Sequence, residues 1–275
     1  MIPPGERCGS GVAVVTGGAS GIGRALAHSY AGAGAHVLIA DIDEPALRRA
    51  REELVAAGAT VDTAVVDLCD LDSLTRLASA ASKLGSLSAI CLNAGVTATG
   101  NPLWETPSEV FDFVFEVNLR GLFHSIRTLV PILITQATPA EIIITASMAG
   151  MVASPYSGAY GASKAGAVAL AKALRAELAT LAPYLRVVVL NPGMVKTNLM
   201  RTSAARVQGR ATVPAEVVDG THEALNQLGV SPAEAVSWTR RAIADNRFWA
   251  LPPGGDPFME MLDVELSELR GGDHG

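Results

Sequence analysis

Short apolar runs alternate with longer amphipathic stretches along most of this chain. Most of the runs are rich in valine and isoleucine, which predicts strands buried in a sheet. The stretches between them place apolar residues at helical spacing. The predicted strands are residues 12–15, 36–41, 60–66, 89–92, 141–146, 186–190 and 248–251. Regular alternation of strand and helix predicts an α/β fold, a doubly wound parallel sheet of about seven strands with helices on both faces.

The predicted helices extend from the glycine-rich segment after the first strand through residue 33, and then over residues 45–57, 71–83, 108–135, 158–181, 215–228 and 232–244. The pattern becomes irregular after Asn198. Residues 252–275 form a tail in which one short amphipathic turn, 258–269, precedes a polar end. No linker or repeat interrupts the alternation, so we expect a single domain over residues 1–275.

Composition narrows the classes of function. Of the 275 residues 49% are hydrophobic, and the net charge is −6 with no basic block, so we expect neither nucleic acid nor a membrane surface as a partner. The cysteines Cys8, Cys69 and Cys91 are an odd, sparse set without metal-ligand spacing, which indicates a reducing compartment and no metal site. Residues 1–10 contain no apolar run of the kind found in signal peptides, so we expect a cytoplasmic protein.

A glycine-rich turn follows the first predicted strand directly. Glycines let the backbone approach a pyrophosphate, and the N-terminus of the next helix favours an anion. The spacing of the glycines differs from the common G-x-G-x-x-G pattern, but a strand before and a helix after the turn are the structural context of a nucleotide site. The candidate nucleotide-binding residues here are Gly17, Ser20, Gly21, Ile22 and Gly23.

Asp41 closes the second predicted strand, where it can accept hydrogen bonds from an adenosine ribose. Its carboxylate would repel a 2′-phosphate, and we expect no arginine or lysine near Ser20 or Ile42 to bind one. The alternative role, an N-cap for the helix starting near Glu44, is better filled by Asp43. The pattern therefore favours NAD over NADP.

Two further strand ends carry candidates for the cofactor site. Asp67 and Leu68 follow the third strand, at the edge where a doubly wound sheet binds its ligand. Asp67 could serve equally well as a cap for the helix after Asp70. The fourth strand leads into Asn93-Ala94-Gly95, which suits a tight turn against the cofactor.

Tyr160 and Lys164 lie four residues apart on a predicted helix and therefore on one face of it. An ammonium beside a phenol lowers the pKa of the tyrosine from about 10 toward the working pH. Such a tyrosine can exchange a proton with an alcohol oxygen. Alone, this spacing more often belongs to a surface tyrosine and a solvated lysine. Here Ser147 ends the fifth strand, where it can face Tyr160 across a cleft.

Asn118 lies inside the predicted helix 108–135 among apolar neighbours, although asparagine is a mediocre helix former. Its side chain either bonds a neighbouring carbonyl or joins a chain of waters, and the sequence leaves both readings open.

Together these segments resemble the short-chain dehydrogenase/reductase family. The matching residues run in family order, cover about residues 10 to 200, and are 16–23, 93–95, 118, 147, 160 with 164, and 191–193 with 197. The resemblance implies a Rossmann-type fold, a nicotinamide cofactor and reversible interconversion of an alcohol and a carbonyl compound. It also implies a substrate loop or lid at about residues 195–245.

The resemblance implies roles for individual residues. Tyr160 would be the acid/base, Lys164 would hold the nicotinamide ribose, Ser147 would bond the substrate oxygen, and Asn118 would position a water. Further cofactor contacts would come from Pro192, Gly193, Val195 and Thr197. We expect NAD as the cofactor and a small apolar secondary alcohol or ketone as the substrate.

The substrate pocket is expected to be apolar, with walls from Met148, Met151, Tyr156 and Met194, and with Val96, Val152 and Pro155 as further candidates. All of these could equally be core residues. The C-terminal third departs from the common family pattern, so the substrate cannot be transferred and the usual tetramer is in doubt. We expect a homodimer or homotetramer that assembles through the helices at 108–135 and 158–181.

Three alternatives remain open. The first is an NADP(H)-dependent carbonyl reductase of the same fold, which a cofactor titration would separate. The second is a related enzyme that performs dehydration or epimerisation. The third is a nucleotide-binding regulator without turnover, but such proteins typically lack the tyrosine–lysine pair that this chain retains.

Overall fold

The computed structural model describes residues 11–207 and 215–271, except for the side chains of Val207 and Ala215. Within it seven parallel strands form one sheet in the order β3-β2-β1-β4-β5-β6-β7. The strands are β1 (Val12–Thr16), β2 (His36–Asp41), β3 (Val61–Val65), β4 (Leu87–Leu92), β5 (Ala140–Thr145), β6 (Leu185–Leu190) and β7 (Trp249–Ala250). The predicted doubly wound α/β fold is confirmed.

The helices are α1 (Gly21–Gly32), α2 (Glu44–Ala56), α3 (Leu71–Leu84), α4 (Ser108–Phe115), α5 (Gly121–Gln136), α6 (Gly158–Leu181), α7 (Leu199–Val207), α8 (Ala215–Leu228), α9 (Pro232–Ala244) and α10 (Pro257–Leu269). None of the described helices is long and apolar enough to cross a membrane. The ends of the chain, including Cys8, and residues 208–214 of the expected lid lie outside the described residues.

Three helix predictions were wrong in detail. The predicted helix 108–135 is divided into α4 and α5 by a π-helical turn, Glu116–Arg120. Helix α7 lies in the segment whose sequence pattern appeared irregular. The tail contains a complete helix of 13 residues, α10, rather than a short turn, and it is capped by Asp256 and started by Pro257.

The strands read as continuous apolar runs because the sheet is covered on both faces. One row of residues in register across five neighbouring strands packs into the core on one face: Leu38, Val14, Ile90, Ile142 and Val187. The next row packs into the core on the other face: Ile39, Val15, Cys91, Ile143 and Val188. A strand buried on both faces cannot show the alternation of apolar and polar residues that a half-exposed strand would have.

The strand order reverses beside β1. The chain moves outward from β1 through β2 to β3 and then returns to place β4 on the other side of β1. The connections after β1 and β4 therefore diverge, which opens a crevice at the carboxyl ends of these two strands. Every candidate identified at a strand end lies on this edge of the sheet.

Candidate active site

The glycine-rich turn packs directly against the segment that follows β4. Gly17 has a φ of +63°, and a Cβ atom at this position would lie 2.8 Å from the Cα atom of Ala94. At Gly23 a Cβ atom would collide with the carbonyl oxygen of Gly17. Only glycine fits at these two positions, so the backbone of the turn forms one wall of the crevice without side chains.

Thr16 joins the turn to β4, a role that the sequence analysis missed. Its hydroxyl accepts hydrogen bonds from the backbone N–H groups of Asn93 at 3.0 Å and Ala94 at 3.3 Å, and lies 3.3 Å from the carbonyl of Cys91, to which it donates. The Asn93 amide donates to the carbonyls of Thr16 at 3.2 Å and Gly17 at 3.4 Å. The available signal was a polar residue at the end of an otherwise apolar strand.

A groove of about 640 Å³ opens at this point. It brings together several residues predicted for the cofactor site, namely Gly17, Asp41, Asp67, Leu68, Ala94 and Gly95. The size of the groove, its wall of glycine backbone and the acidic end of β2 fit a dinucleotide. The buried Oδ1 atom of Asn93 also fits, since it has no hydrogen-bond partner among the described residues. Thr197 borders the same turn, because a Cβ atom at Gly21 would lie 3.1 Å from its Cγ2.

The carboxylate of Asp41 faces the glycine-rich turn. It accepts hydrogen bonds from the N–H groups of Ala19 at 3.3 Å and Asp43 at 3.2 Å. The cap of α2 is Asp43, which accepts from Ala46 N–H at 2.9 Å, so Asp41 does not serve that purpose. Arg206 of α7 places its Nη2 atom 3.8 Å from Asp41 Oδ1. The expectation of a site without a nearby basic side chain was therefore wrong, because the chain folds a distant arginine onto it.

The structure also distinguishes the two roles considered for Asp67, a cofactor-site residue and a cap of the following helix. Asp70 caps α3 by accepting a hydrogen bond from Asp72 N–H at 2.9 Å. Asp67 instead accepts from the N–H group of Cys69 at 2.9 Å, which tightens the turn after β3. The capping alternative was wrong, and Asp67 is a groove residue.

Ser147 and Tyr160 meet at the carboxyl end of β5. The Ser147 hydroxyl lies close enough to the Tyr160 phenol to lower its pKa, accepts from Ala149 N–H at 3.2 Å, and donates to the carbonyl oxygen of Pro192 at 3.4 Å. Burial raises the pKa of the Tyr160 phenol above its usual value, while the bond to Ser147 acts in the opposite direction. The expected lowering of this pKa by Lys164 is not found.

Lys164 is buried and its ammonium is directed elsewhere. Nζ donates to the carbonyl of Thr145 at 3.0 Å and lies 5.8 Å from the centroid of the Tyr160 ring. Burial lowers the pKa of Lys164 from 10.5 to about 8. Lys164 therefore contacts the Thr145 carbonyl and the Tyr160 ring, and it is not among the groups that shift the pKa of Tyr160.

Asn118 lies in the π-helical turn and is buried. Its Oδ1 accepts from Val96 N–H at 2.8 Å, and its Nδ2 donates to the carbonyl of Val96 at 2.8 Å and to Ser163 Oγ at 3.0 Å. Ser163, which the sequence analysis did not single out, donates to the backbone carbonyl of Tyr160 at 2.7 Å. The structure thus supports the structural reading of Asn118, since both atoms of its amide bond protein groups.

The predicted pocket walls differ in exposure. Met148 has no exposed surface, so it belongs to the core and not to an open pocket. Met151 and Met194 are half-buried. Tyr156 is 62% exposed and has a φ of +60°. Among the cofactor candidates, Pro192 and Val195 are buried, Ile22 and Gly193 are half-buried, and Ser20 is exposed.

A parallel sheet with a dinucleotide groove and a serine–tyrosine pair at its carboxyl edge defines a Rossmann-type oxidoreductase. The family model for short chain dehydrogenases matches residues 11–208. The chain belongs to the short-chain dehydrogenase/reductase family, whose members use nicotinamide cofactors.

Known relatives agree with this assignment. The 1-deoxy-11-beta-hydroxypentalenate dehydrogenase of Streptomyces exfoliatus is 44% identical over 212 residues, which cover 76% of this chain and 76% of that protein. The C alpha-dehydrogenase of a Sphingobium species is 30% identical over 246 residues, covering 88% of this chain and 80% of that protein. A Burkholderia phymatum short chain dehydrogenase/reductase in complex with NAD superposes with a TM-score of 0.87 at 30% identity, covering 97% of this chain and 96% of that chain.

The buried ammonium of Lys164 predicts a dependence of stability on pH. Because its pKa is about 8 in the folded protein and 10.5 otherwise, the unfolded chain binds more protons between these values, so stability rises with pH in this window. Relative to Lys164→Met, the wild-type protein should gain on the order of 3 kcal/mol in free energy of unfolding between pH values of about 7.5 and 10.5. Urea unfolding at each pH measures the difference.

Lys172 is an exposed lysine of the same helix. Lys172→Met is the matched control, and its difference from the wild type should not change over the same pH range. A Lys164→Met variant that also keeps a constant difference would show that the ammonium is solvated and would contradict the assigned pKa.

Proposed function

We propose that this protein is an NAD(H)-dependent dehydrogenase that interconverts a secondary alcohol and a ketone on an apolar small molecule. The observation that carries the proposal is the Tyr160 phenol beside the Ser147 hydroxyl at the carboxyl end of β5. It lies on the same edge of the sheet as the groove that holds Asp41. Two neighbouring hydroxyl groups can both bond the oxygen of an alcohol with little rearrangement.

In alcohol oxidation Ser147 orients the substrate oxygen and Tyr160, as the phenolate, takes its proton. Bound NAD supplies the acceptor for the hydride that leaves the carbinol carbon. In ketone reduction the neutral Tyr160 returns the proton to the carbonyl oxygen. Lys164 passes the proton between Tyr160 and solvent. Asn118 acts as a positioning residue, since its amide joins the loop at Val96 to Ser163 of α6.

The apolar substrate class has two kinds of support. Met151 and Met194 are half-buried apolar side chains that lie near Ser147 and Gly193 along the chain. A relative at 44% identity is named for the dehydrogenation of a hydroxypentalenate. We propose that this chain acts on a hydroxyl group attached to a comparable hydrocarbon framework, with the segment at about 195–245 as a substrate loop.

An NADP(H)-dependent reductase is the second candidate, and one contact favours it. Arg206 lies 3.8 Å from Asp41 and is 38% exposed, so it can neutralise part of the negative charge that a 2′-phosphate would meet. We still favour NAD, because Asp41 is the less exposed partner at 13% and is held by two backbone N–H groups. A regulator without turnover is excluded if any alcohol is oxidised.

Tyr160→Phe tests the assigned acid/base. The substitution removes the proton donor and little volume, so turnover should fall by at least about a hundredfold, the lower range for general acid–base catalysis. The measurement is a screen of secondary alcohols and ketones with NAD(H), followed at the nicotinamide absorbance. NADH affinity, measured by fluorescence, should change little.

Tyr184→Phe is the matched control, because the Tyr184 hydroxyl bonds the carbonyl of Ile134, outside the candidate site. This variant should retain turnover. If Tyr160→Phe kept a rate close to that of the wild type, the proton would have to come from another group and the proposed mechanism would be wrong.

Substitutions of Asp41 and of Arg206 should shift the preference between NAD and NADP in opposite directions. The wild-type protein should prefer NAD by at least about tenfold, which corresponds to ~1.4 kcal/mol. Asp41→Ala should reduce this preference by removing a like charge from the site of a 2′-phosphate, and Arg206→Ala should increase it by removing a compensating charge. Dissociation constants for NADH and NADPH, together with kcat/KM for each oxidised cofactor, measure both effects.

Arg201→Ala is the control for helix α7, because this exposed arginine pairs with Asp219 at 3.0 Å and not with the groove. It should leave the preference unchanged. Equal affinity of the wild-type protein for the two cofactors would mean that Asp41 does not contact the ribose.

We also propose a homodimer or homotetramer that assembles through the outer faces of α4, α5 and α6. A hollow of about 650 Å³ lies there, bordered by Phe115 and Gly166, and Phe111 and Phe123 are 38% and 46% exposed. Exposed aromatic side chains around a shallow hollow are typical of protein interfaces. The small residues of α6 are partly used within the chain, because Gly166 gives room to Leu119.

Phe123→Glu should weaken assembly, because it places a charge in an interface that excludes water. Light scattering at micromolar concentration should give at least a dimer for the wild type and a smaller mass for the variant. Leu228→Glu, at a position on α8 that is 73% exposed, is the control. A monomeric wild-type protein would refute the proposed interface.

A further inference from the structure

The tail helix α10 contacts the body of the protein at two points beside the candidate site. A Cβ atom at Gly193 would lie 2.7 Å from Cδ2 of Phe258, so the phenyl ring rests on the backbone of this glycine. Further along the helix, Glu265 Oε1 accepts a hydrogen bond from Ala153 N–H at 2.9 Å. The helix therefore connects the segment after β6 with the loop that follows β5.

Both contacts are made with segments that carry or adjoin the serine–tyrosine pair. Gly193 directly follows Pro192, whose carbonyl oxygen is 3.4 Å from Ser147 Oγ. Ala153 lies between Ser147 and Tyr160 in the chain, in the loop before α6. Seven residues separate the two contacts on α10, a span of about 10 Å at 1.5 Å per residue. A helix held at these two points crosses the mouth of the site.

One face of α10 is directed toward the protein. Phe258, Leu262 and Glu265 follow the spacing of one helical face and are all half-buried. Met261 and Val264, on the outer side, are 40% and 52% exposed. Two of the three inward residues are apolar, so the helix presents a hydrocarbon surface with an aromatic ring at the end nearest Ser147.

Few contacts hold α10 on the body of the protein. None of its residues is buried. The bond from Ala153 to Glu265 is formed by a partly exposed pair, and such bonds contribute only about 1 kcal/mol. Segments with few buried contacts open locally at low cost, so α10 can move aside without unfolding of the sheet.

We infer that α10 is the outer wall of the substrate cleft and that Phe258 is a specificity-determining residue, which limits the bulk of the hydrocarbon next to the reacting carbon. This inference rests on the proposed alcohol dehydrogenase function. It assigns a role to the tail, and it replaces the buried Met148 by Phe258 as an apolar wall. The substrate class is a secondary alcohol whose ring system packs against an aromatic face.

The test is a change in size selectivity. The probes are 2-butanol, cyclohexanol and decahydro-2-naphthol, each assayed with NAD and also by ligand-observed NMR, which detects binding without turnover. In Phe258→Ala the ratio of kcat/KM for decahydro-2-naphthol to that for 2-butanol should rise about tenfold, which corresponds to ~1.4 kcal/mol. The binding ratio should shift in the same direction. NADH affinity should stay within about twofold, or ~0.4 kcal/mol.

Leu269→Ala is the control on the same helix, because Leu269 is 82% exposed. It should leave the selectivity unchanged. Unchanged selectivity of Phe258→Ala in both turnover and binding would overturn the inference. Binding that shifts with Phe258→Ala in a protein that oxidises none of the alcohols would support the wall and contradict the proposed function, so the two failures are distinct.

A second measurement tests the position of the helix without any substrate. The Ala153 amide should exchange with deuterated solvent more slowly in the wild type than in a variant that lacks the acceptor, because Glu265 accepts its hydrogen bond. Glu265→Ala should raise its exchange rate by at least about threefold, whereas Glu265→Gln keeps an acceptor oxygen and should retain the protection. Equal exchange in all three proteins would show that α10 is not held on this loop and would overturn the inference.

Discussion

The three hydrogen bonds of the Asn118 amide are the interaction on which the geometry of the site depends. They join the loop at Val96 to Ser163, and Ser163 in turn bonds the backbone carbonyl of Tyr160. Each buried polar group left unpaired would cost about 1–3 kcal/mol, so this arrangement resists displacement. The Tyr160 side chain is therefore positioned through the backbone of α6, and its hydroxyl lies beside that of Ser147.

Burial acts in opposite directions on the two titratable groups of the site. It raises the pKa of Tyr160 and lowers that of Lys164, because in both cases it disfavours the charged form. The free protein thus holds the phenol proton more tightly than the ammonium proton. In the proposed mechanism, ketone reduction starts from the neutral phenol and needs no ionisation, whereas alcohol oxidation requires the phenolate. The spacing of Tyr160 and Lys164 in the sequence did not predict that burial would shift their two pKa values in opposite directions.

Patterns within short stretches predicted the fold and the strand-end residues, because parallel strands place their carboxyl ends on one edge. Contacts between distant parts of the chain were not predictable. Arg206 reaches Asp41 only after α7 folds over the groove, and Phe258 reaches Gly193 only after the tail returns to the sheet. Met148 was misassigned, since a methionine after a strand can point into the core or into a cleft and periodicity does not distinguish them.

The central claim is that the chain transfers hydride between a secondary alcohol and NAD at the Ser147–Tyr160 pair. The most direct measurement follows deuterium from the carbinol carbon of [1-²H]cyclohexanol into the reduced cofactor by NMR or mass spectrometry. The account predicts about one deuterium for each NADH formed, because direct transfer does not exchange with solvent. NADH that carries only protium, with the deuterium released to water, would contradict it.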